Sequence, residues 1–254
     1  MKLLASDYDG TLNRNGTISK EDIEAIQMWQ ECGNLFGLIT GRGYKSAAHE
    51  MNYYGIKYDF LICNNGSSIF DNNNKCIASI TGNNTILKTL ITLIIEHNGD
   101  RAAISGGKSR ACVVLDEARD NSTNCPDENW IIFEDIDKLD FPFTQVDTNA
   151  LTDDNAALLA RRINKILGKF VYAHQNGTNV DTTPVGVNKP TGIHSLVKHL
   201  NISSNNVFVV GDNLNDLEMI KEFDGFAMTS GNPVVIKQAR RAYDTIFELV
   251  KDII

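Results

Sequence analysis

Residues 2–11 read KLLASDYDGT, a mostly apolar segment that leads directly into two aspartates. A short apolar segment that ends in a polar turn is typical of a buried strand, so we predict a strand over residues 2–6. Asp7 and Asp9 follow it two positions apart, and in an extended chain such side chains point to the same side. Parallel sheets bind ligands just beyond the carboxyl ends of their strands. The pair is therefore a candidate catalytic site, although two aspartates alone are more typical of a solvated acidic loop.

The strand pattern recurs as the chain continues, and helical patterns separate its repeats. A helix start signal begins at Ser19, and residues 35–39 form a second short apolar segment. A helical pattern near residues 45–54 and a third strand-like segment at residues 59–63 come next. Strands that alternate with helices in this way predict a parallel sheet with helical crossovers.

The middle of the chain has a different pattern. Two helical stripes, near residues 86–94 and 152–166, are interleaved with short strand-like segments. A polar segment over residues 116–129 predicts a long loop. Several strands with only two helices between them are typical of a small α+β unit.

The last part of the chain returns to the first pattern. Residues 190–200 predict a helix, residues 207–210 a strand, and residues 233–241 a further helix. We therefore predict an α/β fold with a Rossmann-like parallel-sheet core that is interrupted by an inserted α+β domain. The predicted core consists of residues 1–82 and 184–254, and the predicted insertion of residues 83–183.

Composition excludes several classes of protein. The formal net charge of −8 and the scattered Lys and Arg residues argue against a nucleic-acid partner. No apolar segment approaches the roughly 20 residues of a membrane span, and the chain is already acidic at Asp7, where a signal peptide would be apolar. The five cysteines are odd in number and lack CxxC spacing, so we expect no disulfide framework or zinc site and a cytoplasmic location. No feature indicates an obligate protein partner.

Three further motifs place polar groups at a strand end or a helix start. Thr40-Gly41-Arg42 follows the second strand, where a hydroxyl and backbone N–H groups can hold a phosphate oxygen. Lys189 precedes a helix start, a position that a bound anion makes favourable. The segment 211–216, GDNLND, follows the strand at residues 207–210. Each motif alone is more typical of a turn, a surface lysine or a helix cap, but four of them on one sheet edge seldom arise by chance.

Together with Asp7–Thr11, these motifs resemble those of the haloacid dehalogenase (HAD) superfamily, and most closely the Cof-type phosphatases of subfamily IIB. Residues 63–66, CNNG, and residues 182–189, TTPVGVNK, support the subfamily. The resemblance covers about residues 1–82 and 184–254. The middle of the chain resembles the family's cap domain in length and pattern only.

The resemblance implies a role for each motif residue. Asp7 would be the nucleophile that forms an aspartyl-phosphate, and Asp9 would protonate the leaving oxygen and then activate water. Lys189 would stabilise the transferred charge. The implied cofactor is Mg²⁺, which prefers hard oxygen ligands. Its implied ligands are Asp7, the backbone carbonyl of Asp9, Asp212 and, directly or through water, Asp216. The implied substrate-binding residues are Thr40, Gly41, Arg42, Asn65, Lys189 and Asn215. For Arg42, pairing with a nearby carboxylate is an equal alternative.

These roles predict a Mg²⁺-dependent phosphatase, a phosphoric monoester hydrolase that acts on a small phosphorylated metabolite such as a sugar phosphate or a phosphorylated cofactor. A phosphosugar mutase or other phosphotransferase of the superfamily, and a non-catalytic phospho-ligand sensor, stay open as alternatives. The acid at position 9 favours turnover, because related ATPases carry threonine there. Asn188 and Pro190 depart from the subfamily's usual Ser and Gly, although proline is compatible with a helix start.

Overall fold

The computed structural model describes residues 1–99, 101–115 and 129–254. These residues form two compact units. The core unit contains Met1–Ala78 and Asn188–Ile254, and the inserted unit contains Ser79–Val187. The core expected from the sequence, residues 1–82 and 184–254, is four residues longer than the observed core unit at each of the two boundaries. The role of the inserted unit as a cap stays a prediction.

The described residues contain fourteen strands and eight α-helices. The strands are β1 (Leu3–Ser6), β2 (Leu35–Ile39), β3 (Phe60–Cys63), β4 (Ser68–Asp71), β5 (Cys76–Ser79), β6 (Ala102–Gly106), β7 (Ser109–Val114), β8 (Asn129–Ile132), β9 (Gln145–Asn149), β10 (Val171–Asn176), β11 (Asn179–Pro184), β12 (Val207–Gly211), β13 (Phe226–Met228) and β14 (Arg241–Tyr243). The helices are α1 (Lys20–Glu31), α2 (Tyr44–Tyr53), α3 (Leu87–Glu96), α4 (Asp153–Leu167), α5 (Lys189–Leu200), α6 (Leu217–Glu222), α7 (Pro233–Gln238) and α8 (Ile246–Ile253).

The core unit is built on an eight-stranded sheet in the order β14-β13-β12-β1-β2-β3-β4-β5. Each pair from β14 to β3 is parallel, and β4 runs antiparallel to β3. This arrangement confirms the predicted parallel-sheet core. Strand β1 lies between β12 and β2. Because these three strands are parallel, the residues that follow them, Asp7, Asp212 and Thr40, lie along one edge of the sheet.

Side-chain alternation along the strands packs helices on both faces of the core sheet. Leu4 and Leu38 belong to an apolar cluster that includes residues of α1, α2 and α8. Leu3 and Ile39 belong to a second cluster that includes residues of α5, α6 and α7. Full burial of each such side chain contributes roughly 1.5–3 kcal/mol. A slip of one residue would exchange the two faces, so this packing fixes the register that positions the site.

The inserted unit has its own sheet and its own apolar core. Its six strands follow the order β10-β11-β9-β6-β7-β8, and only the pair β7–β8 is parallel. Apolar residues of α3 and α4, such as Leu90 and Leu159, are buried together with strand residues such as Ile104. Thr152 caps α4 through a hydrogen bond from the Asn155 backbone N–H. The unit therefore has the expected α+β organisation.

Some elements differ from the sequence-based predictions. The helix predicted over residues 233–241 ends at Gln238, and Arg241 instead begins β14. Strands β4, β5 and β9 and helix α8 are not among the predicted elements. The three strands are short and lack a continuous apolar segment, which is the signal that identifies the buried parallel strands. Of the loop predicted over residues 116–129, residues 116–128 lie outside the described residues. Asn129 is described and begins β8.

The cysteines also differ in part from expectation. Cys32, Cys63 and Cys76 are free, but Cys112 is disulfide-bonded. An odd count without CxxC spacing argues against a framework, yet it permits one bond, because pairing depends on distance in the folded chain. A disulfide is less typical of a reducing compartment, so the cytoplasmic location stays a prediction. Among the described residues, none of the helices has the length and apolarity that crossing a membrane would require.

Candidate active site

The two aspartates that follow β1 have different surroundings. Asp7 continues the strand, since its backbone N–H donates to Val210 O at 2.9 Å, and its side chain is buried. Asp9 lies beyond the strand end, and its side chain is 59% exposed. The chain turns away at Gly10, which has a φ of +85°. The strand-like alternation assumed from the sequence therefore ends before Asp9, and the Asp9 carboxylate instead pairs with Arg42.

Three carboxylates from opposite ends of the chain form a cluster in the core unit. Oxygen atoms of Asp7, Asp212 and Asp216 all lie within 4.8 Å of one another. Thr11 Oγ1 donates to Asp212 Oδ1 at 2.7 Å. Asp216 Oδ2 accepts hydrogen bonds from the backbone N–H groups of Asp212 and Asn213, at 3.0 and 3.1 Å. Asp216 therefore folds the segment after β12 back on itself, which places Asp212 beside Asp7.

Lys189 supplies the cation of this cluster. Its side chain is 1% exposed, and Nζ donates to Asp7 Oδ1 at 2.6 Å and to Asp216 Oδ1 at 2.5 Å. Lys189 is the first residue of α5, and Asn188 caps that helix in a reciprocal pair with Thr191. Pro190 occupies the first turn without disturbing the helix. The start of α5 therefore accommodates Asn188 and Pro190 while Lys189 reaches the carboxylate cluster.

The carboxylates of the cluster outnumber its one lysine, and burial together with these charges shifts the pKa values of its members. Burial, reinforced by the nearby charges of Asp216 and Asp212, raises the pKa of Asp7 to about 8 even though Lys189 opposes the shift. Burial also raises the pKa of Asp212, against the hydrogen bond from Thr11. For Lys189, burial lowers the pKa, but the attraction of Asp216 and Asp7 outweighs it and the net shift is upward. One lysine faces three carboxylates, so the cluster can accept further positive charge.

The donor set fits a hard divalent cation. Among the described residues, neither Asp7 Oδ2 nor Asp212 Oδ2 receives a hydrogen bond, so both oxygens are available as ligands. Gly10 keeps the space beside Asp212 open, because a Cβ at Gly10 would lie 2.4 Å from Asp212 Oδ2. Asp216 already accepts three hydrogen bonds. Buried carboxylate oxygens of this kind are the ligands that Mg²⁺ prefers.

The candidate phosphate-binding residues lie on two loops that contact each other and on the turn before α6. Thr40 is buried, and its Oγ1 accepts a hydrogen bond from the Arg42 backbone N–H at 3.1 Å. The Asn65 backbone N–H donates to Thr40 O at 3.0 Å, which brings the CNNG turn against Thr40-Gly41-Arg42. Asn215 Oδ1 is buried and has no partner among the described residues. A buried acceptor without a partner is costly, so this oxygen is available to a donor such as water, whereas a phosphate oxygen would need the N–H groups of the same amide.

Arg42 pairs with nearby carboxylates, which is one of the two roles left open by the sequence, and its contact with substrate stays a prediction. It donates from Nε and Nη2 to the Asp9 carboxylate and from Nη1 to Glu50 Oε1. The hydrogen bonds to Asp9 raise the pKa of Arg42. Sequence reasoning missed Glu50 and Thr11 as members of the site. Thr11 belongs to the first motif and could have been found there, whereas Glu50 has no sequence signal beyond its place on a predicted helix.

Comparison with known proteins identifies the family of this chain and several relatives. A model of the haloacid dehalogenase-like hydrolase family matches residues 4–246. The 5-amino-6-(5-phospho-D-ribitylamino)uracil phosphatase YcsE of Bacillus subtilis (strain 168) is 29% identical over 250 residues, which cover 98% of this chain and 92% of that protein. The phosphatase YbjI of Escherichia coli (strain K12), named for the same compound, is 26% identical over 266 residues, which cover 100% of this chain and 95% of that protein.

Solved structures show the same fold. A HAD/COF-like hydrolase from Plasmodium vivax has a TM-score of 0.81 at 22% identity, over 100% of this chain and 95% of that chain. The family match spans both parts of the core unit and the inserted unit between them. The chain therefore belongs to the haloacid dehalogenase-like hydrolases.

Proposed function

We propose that this phosphatase hydrolyses a small phosphomonoester with Asp7 as its nucleophile. The buried contact between Asp7 and Lys189, inside the carboxylate cluster, is the observation that carries the proposal. An oxygen of Asp7 attacks the phosphorus, the bond from phosphorus to the leaving oxygen breaks, and Asp9 gives that oxygen a proton. Asp9 then takes a proton from water, whose oxygen attacks the phosphorus, releases inorganic phosphate and restores the Asp7 carboxylate.

Electrostatic repulsion is the main obstacle to this reaction. A carboxylate that approaches a phosphate brings like charges together, and one pair at about 4 Å costs roughly 4 kcal/mol at an effective dielectric near 20. Lys189 offsets part of this repulsion, because its Nζ lies 2.6 Å from Asp7 Oδ1. However, Lys189 also neutralises Asp216. The pKa of Asp7, about 8, further means that the nucleophile needs additional positive charge to be ionised at neutral pH.

We propose Mg²⁺ as the source of that charge. Asp7, Asp212 and the backbone carbonyl of Asp9 would hold it, and the three hydrogen bonds already made to Asp216 favour a contact through water for that residue. When bound, Mg²⁺ supplies positive charge that favours the ionised form of Asp7 and stabilises the phosphoryl oxygens. The phosphoryl oxygens would also accept hydrogen bonds from Thr40, Gly41 and Asn215.

The substrate proposal follows from the relatives. Both curated phosphatases are named for 5-amino-6-(5-phospho-D-ribitylamino)uracil, which carries its phosphate on a sugar alcohol chain. We infer a substrate of the same chemical class, a phosphate monoester on a sugar, a polyol or a cofactor precursor. The inserted unit is the proposed source of selectivity between such compounds.

Release of inorganic phosphate tests the proposal. The panel contains 5-amino-6-(5-phospho-D-ribitylamino)uracil, several sugar phosphates and p-nitrophenyl phosphate, each assayed in Mg²⁺ and in EDTA. We expect release in Mg²⁺ and its loss in EDTA. Asp7→Asn should lower kcat by roughly 10³-fold or more. Asp154→Asn, which removes an exposed carboxylate on α4, should leave the rate unchanged.

Three outcomes would contradict the proposal. Substantial activity of Asp7→Asn would remove Asp7 from its role as the nucleophile. An isomerised sugar phosphate in place of free phosphate would indicate a mutase. Binding of the compounds without turnover of any of them would indicate a sensor.

A further inference from the structure

Arg42 lies at the centre of a network that joins Asp9 to helix α2. Its Nε and Nη2 donate to the two carboxylate oxygens of Asp9, each at 2.7 Å. Its Nη1 donates to Glu50 Oε1 at 3.0 Å and to Ser46 Oγ at 3.1 Å. One guanidinium therefore connects the exposed Asp9 to two side chains of a packed helix.

Tyr8 fixes the far side of the same network. Its hydroxyl donates to Glu50 Oε2 at 2.6 Å and accepts from Asn13 Nδ2 at 2.9 Å. Its ring is fully buried, and the guanidinium carbon of Arg42 lies 4.7 Å from the ring centre. Both oxygens of Glu50 are therefore occupied, and Arg42 is held by a carboxylate on one side and an aromatic face on the other.

The position of Asp9 depends on this support. Asp9 is 59% exposed, whereas Arg42 is 30% exposed and Glu50 24%. In the part of the chain that the structure describes, Arg42 is the only group that donates to the Asp9 carboxylate. An isolated exposed ion pair is weak and poorly ordered. Here the arginine is itself anchored by a less exposed carboxylate, so the anchor determines where Asp9 lies.

We propose that Glu50 is a positioning residue for Asp9 and acts through Arg42. This inference rests on the proposed function, in which Asp9 passes a proton to the leaving oxygen. Without the Glu50 carboxylate, Arg42 loses its charged anchor on α2, and the Asp9–Arg42 pair moves as one unit. Proton delivery then slows. The attack by Asp7 is unaffected, because Lys189 and not Arg42 holds that carboxylate.

A comparison of leaving groups separates proton delivery from nucleophilic attack. An alkoxide leaves slowly unless it is protonated, whereas p-nitrophenolate departs as a stable anion. The measured quantity is kcat/KM, which reports the steps up to the departure of the leaving group. We expect Glu50→Gln to lower kcat/KM for a sugar phosphate about tenfold more than for p-nitrophenyl phosphate, out of the 10²- to 10⁴-fold that proton transfer typically contributes.

Two more variants complete the design. Tyr8→Phe keeps the buried ring but removes its hydrogen bond to Glu50. It should therefore also lower kcat/KM more for the sugar phosphate than for p-nitrophenyl phosphate, but by a smaller factor. Glu24→Gln removes a carboxylate from an exposed pair with Lys20 on α1 and should leave kcat/KM unchanged for both substrates. Thermal unfolding of each variant reports whether it is folded. If Glu50→Gln is not folded, Tyr8→Phe decides the question.

The possible results are distinct. An equal loss on both substrates would show that Glu50 only supports the fold or phosphate binding, and it would overturn the inference. Unchanged kinetics of Glu50→Gln would overturn it as well. A wild-type protein that releases phosphate from neither substrate would instead refute the proposed function, so the failure of one proposal cannot be mistaken for failure of the other.

Discussion

Replacing Lys189 with methionine tests the charge arrangement of the site. The Lys189 side chain is buried between Asp7 and Asp216, with contacts of 2.6 and 2.5 Å. Methionine fills much of the same volume but leaves both carboxylates without their cation. Removal of one partner from a buried ion pair typically costs about 3–5 kcal/mol. In a domain of roughly 150–250 residues each kcal/mol lowers Tm by about 2–4 °C, so we expect a decrease of roughly 6–20 °C.

The assay is thermal unfolding followed by circular dichroism. Lys20→Met is the matched control, because Lys20 is 85% exposed and pairs with Glu24 at 3.3 Å. Such exposed pairs contribute about 0.3–0.5 kcal/mol, so the control should melt close to the wild type. The deficit of Lys189→Met should be larger at about pH 8 than at about pH 6. Both proteins lose stability as pH rises, because folded Asp7 keeps a proton that the unfolded chain has released. In the wild type this loss levels off near the Asp7 pKa of about 8, whereas in the variant, whose Asp7 pKa is higher still, it continues.

Mg²⁺ provides a second readout of the same variant. It should restore part of the lost stability, because it supplies positive charge beside Asp7, but it should not restore phosphate release. A melting temperature within about 2 °C of the wild type at both pH values would refute the reasoning, since it would correspond to less than about 1 kcal/mol. The buried carboxylates would then not depend on Lys189.

Two further predictions concern the same cluster. Because burial raises the pKa of Asp7 and Mg²⁺ favours the ionised carboxylate, Mg²⁺ binding near neutral pH should release protons. Calorimetric titration in two buffers of different ionisation enthalpy measures this, and a binding heat that is the same in both would contradict it. Gly10→Ala should lower Mg²⁺-dependent activity by roughly 10²-fold, because its Cβ would lie 2.4 Å from Asp212 Oδ2. Gly16→Ala has a similar φ of +80° with open space around it, so equal losses in both variants would assign the effect to backbone strain.

The fold was predictable where local signals are strong. Strands β1, β2 and β3 are short apolar segments, and α1 is capped by Ser19, whose side chain accepts from the Asp22 backbone N–H. The carboxylate cluster was predictable for a related reason. Asp7 and Asp212 each follow a strand, and parallel neighbouring strands bring their ends to one edge. Topology then places together residues that are more than 200 positions apart.

Other features of the site and the fold cannot be predicted from the hydrophobic periodicity of the sequence. The orientation of Asp9 is set by the turn at Gly10 and by Arg42, so the strand-like alternation of the first motif does not reach it. Glu50 joins the site through the rotation of α2 and the reach of two long side chains. The bond at Cys112 depends on distance in the fold and not on spacing in the sequence. Each is a property of tertiary packing.

The CNNG turn illustrates how packing positions a charge. Gly66 has a φ of +108°, and a Cβ on it would lie 2.2 Å from Asn188 O. One turn into α5, a Cβ on Gly192 would lie 2.7 Å from the Gly66 Cα. The start of α5 is thus pressed directly against the backbone of the turn, with no room for a side chain between them. A Cβ at position 66 would force either the turn or the start of α5 to shift, and since Lys189 follows Asn188, we expect such a substitution to change the contact between Lys189 and Asp7. The distance between Lys189 and Asp7 therefore depends on a backbone contact between two distant segments of the chain and not only on the lysine side chain.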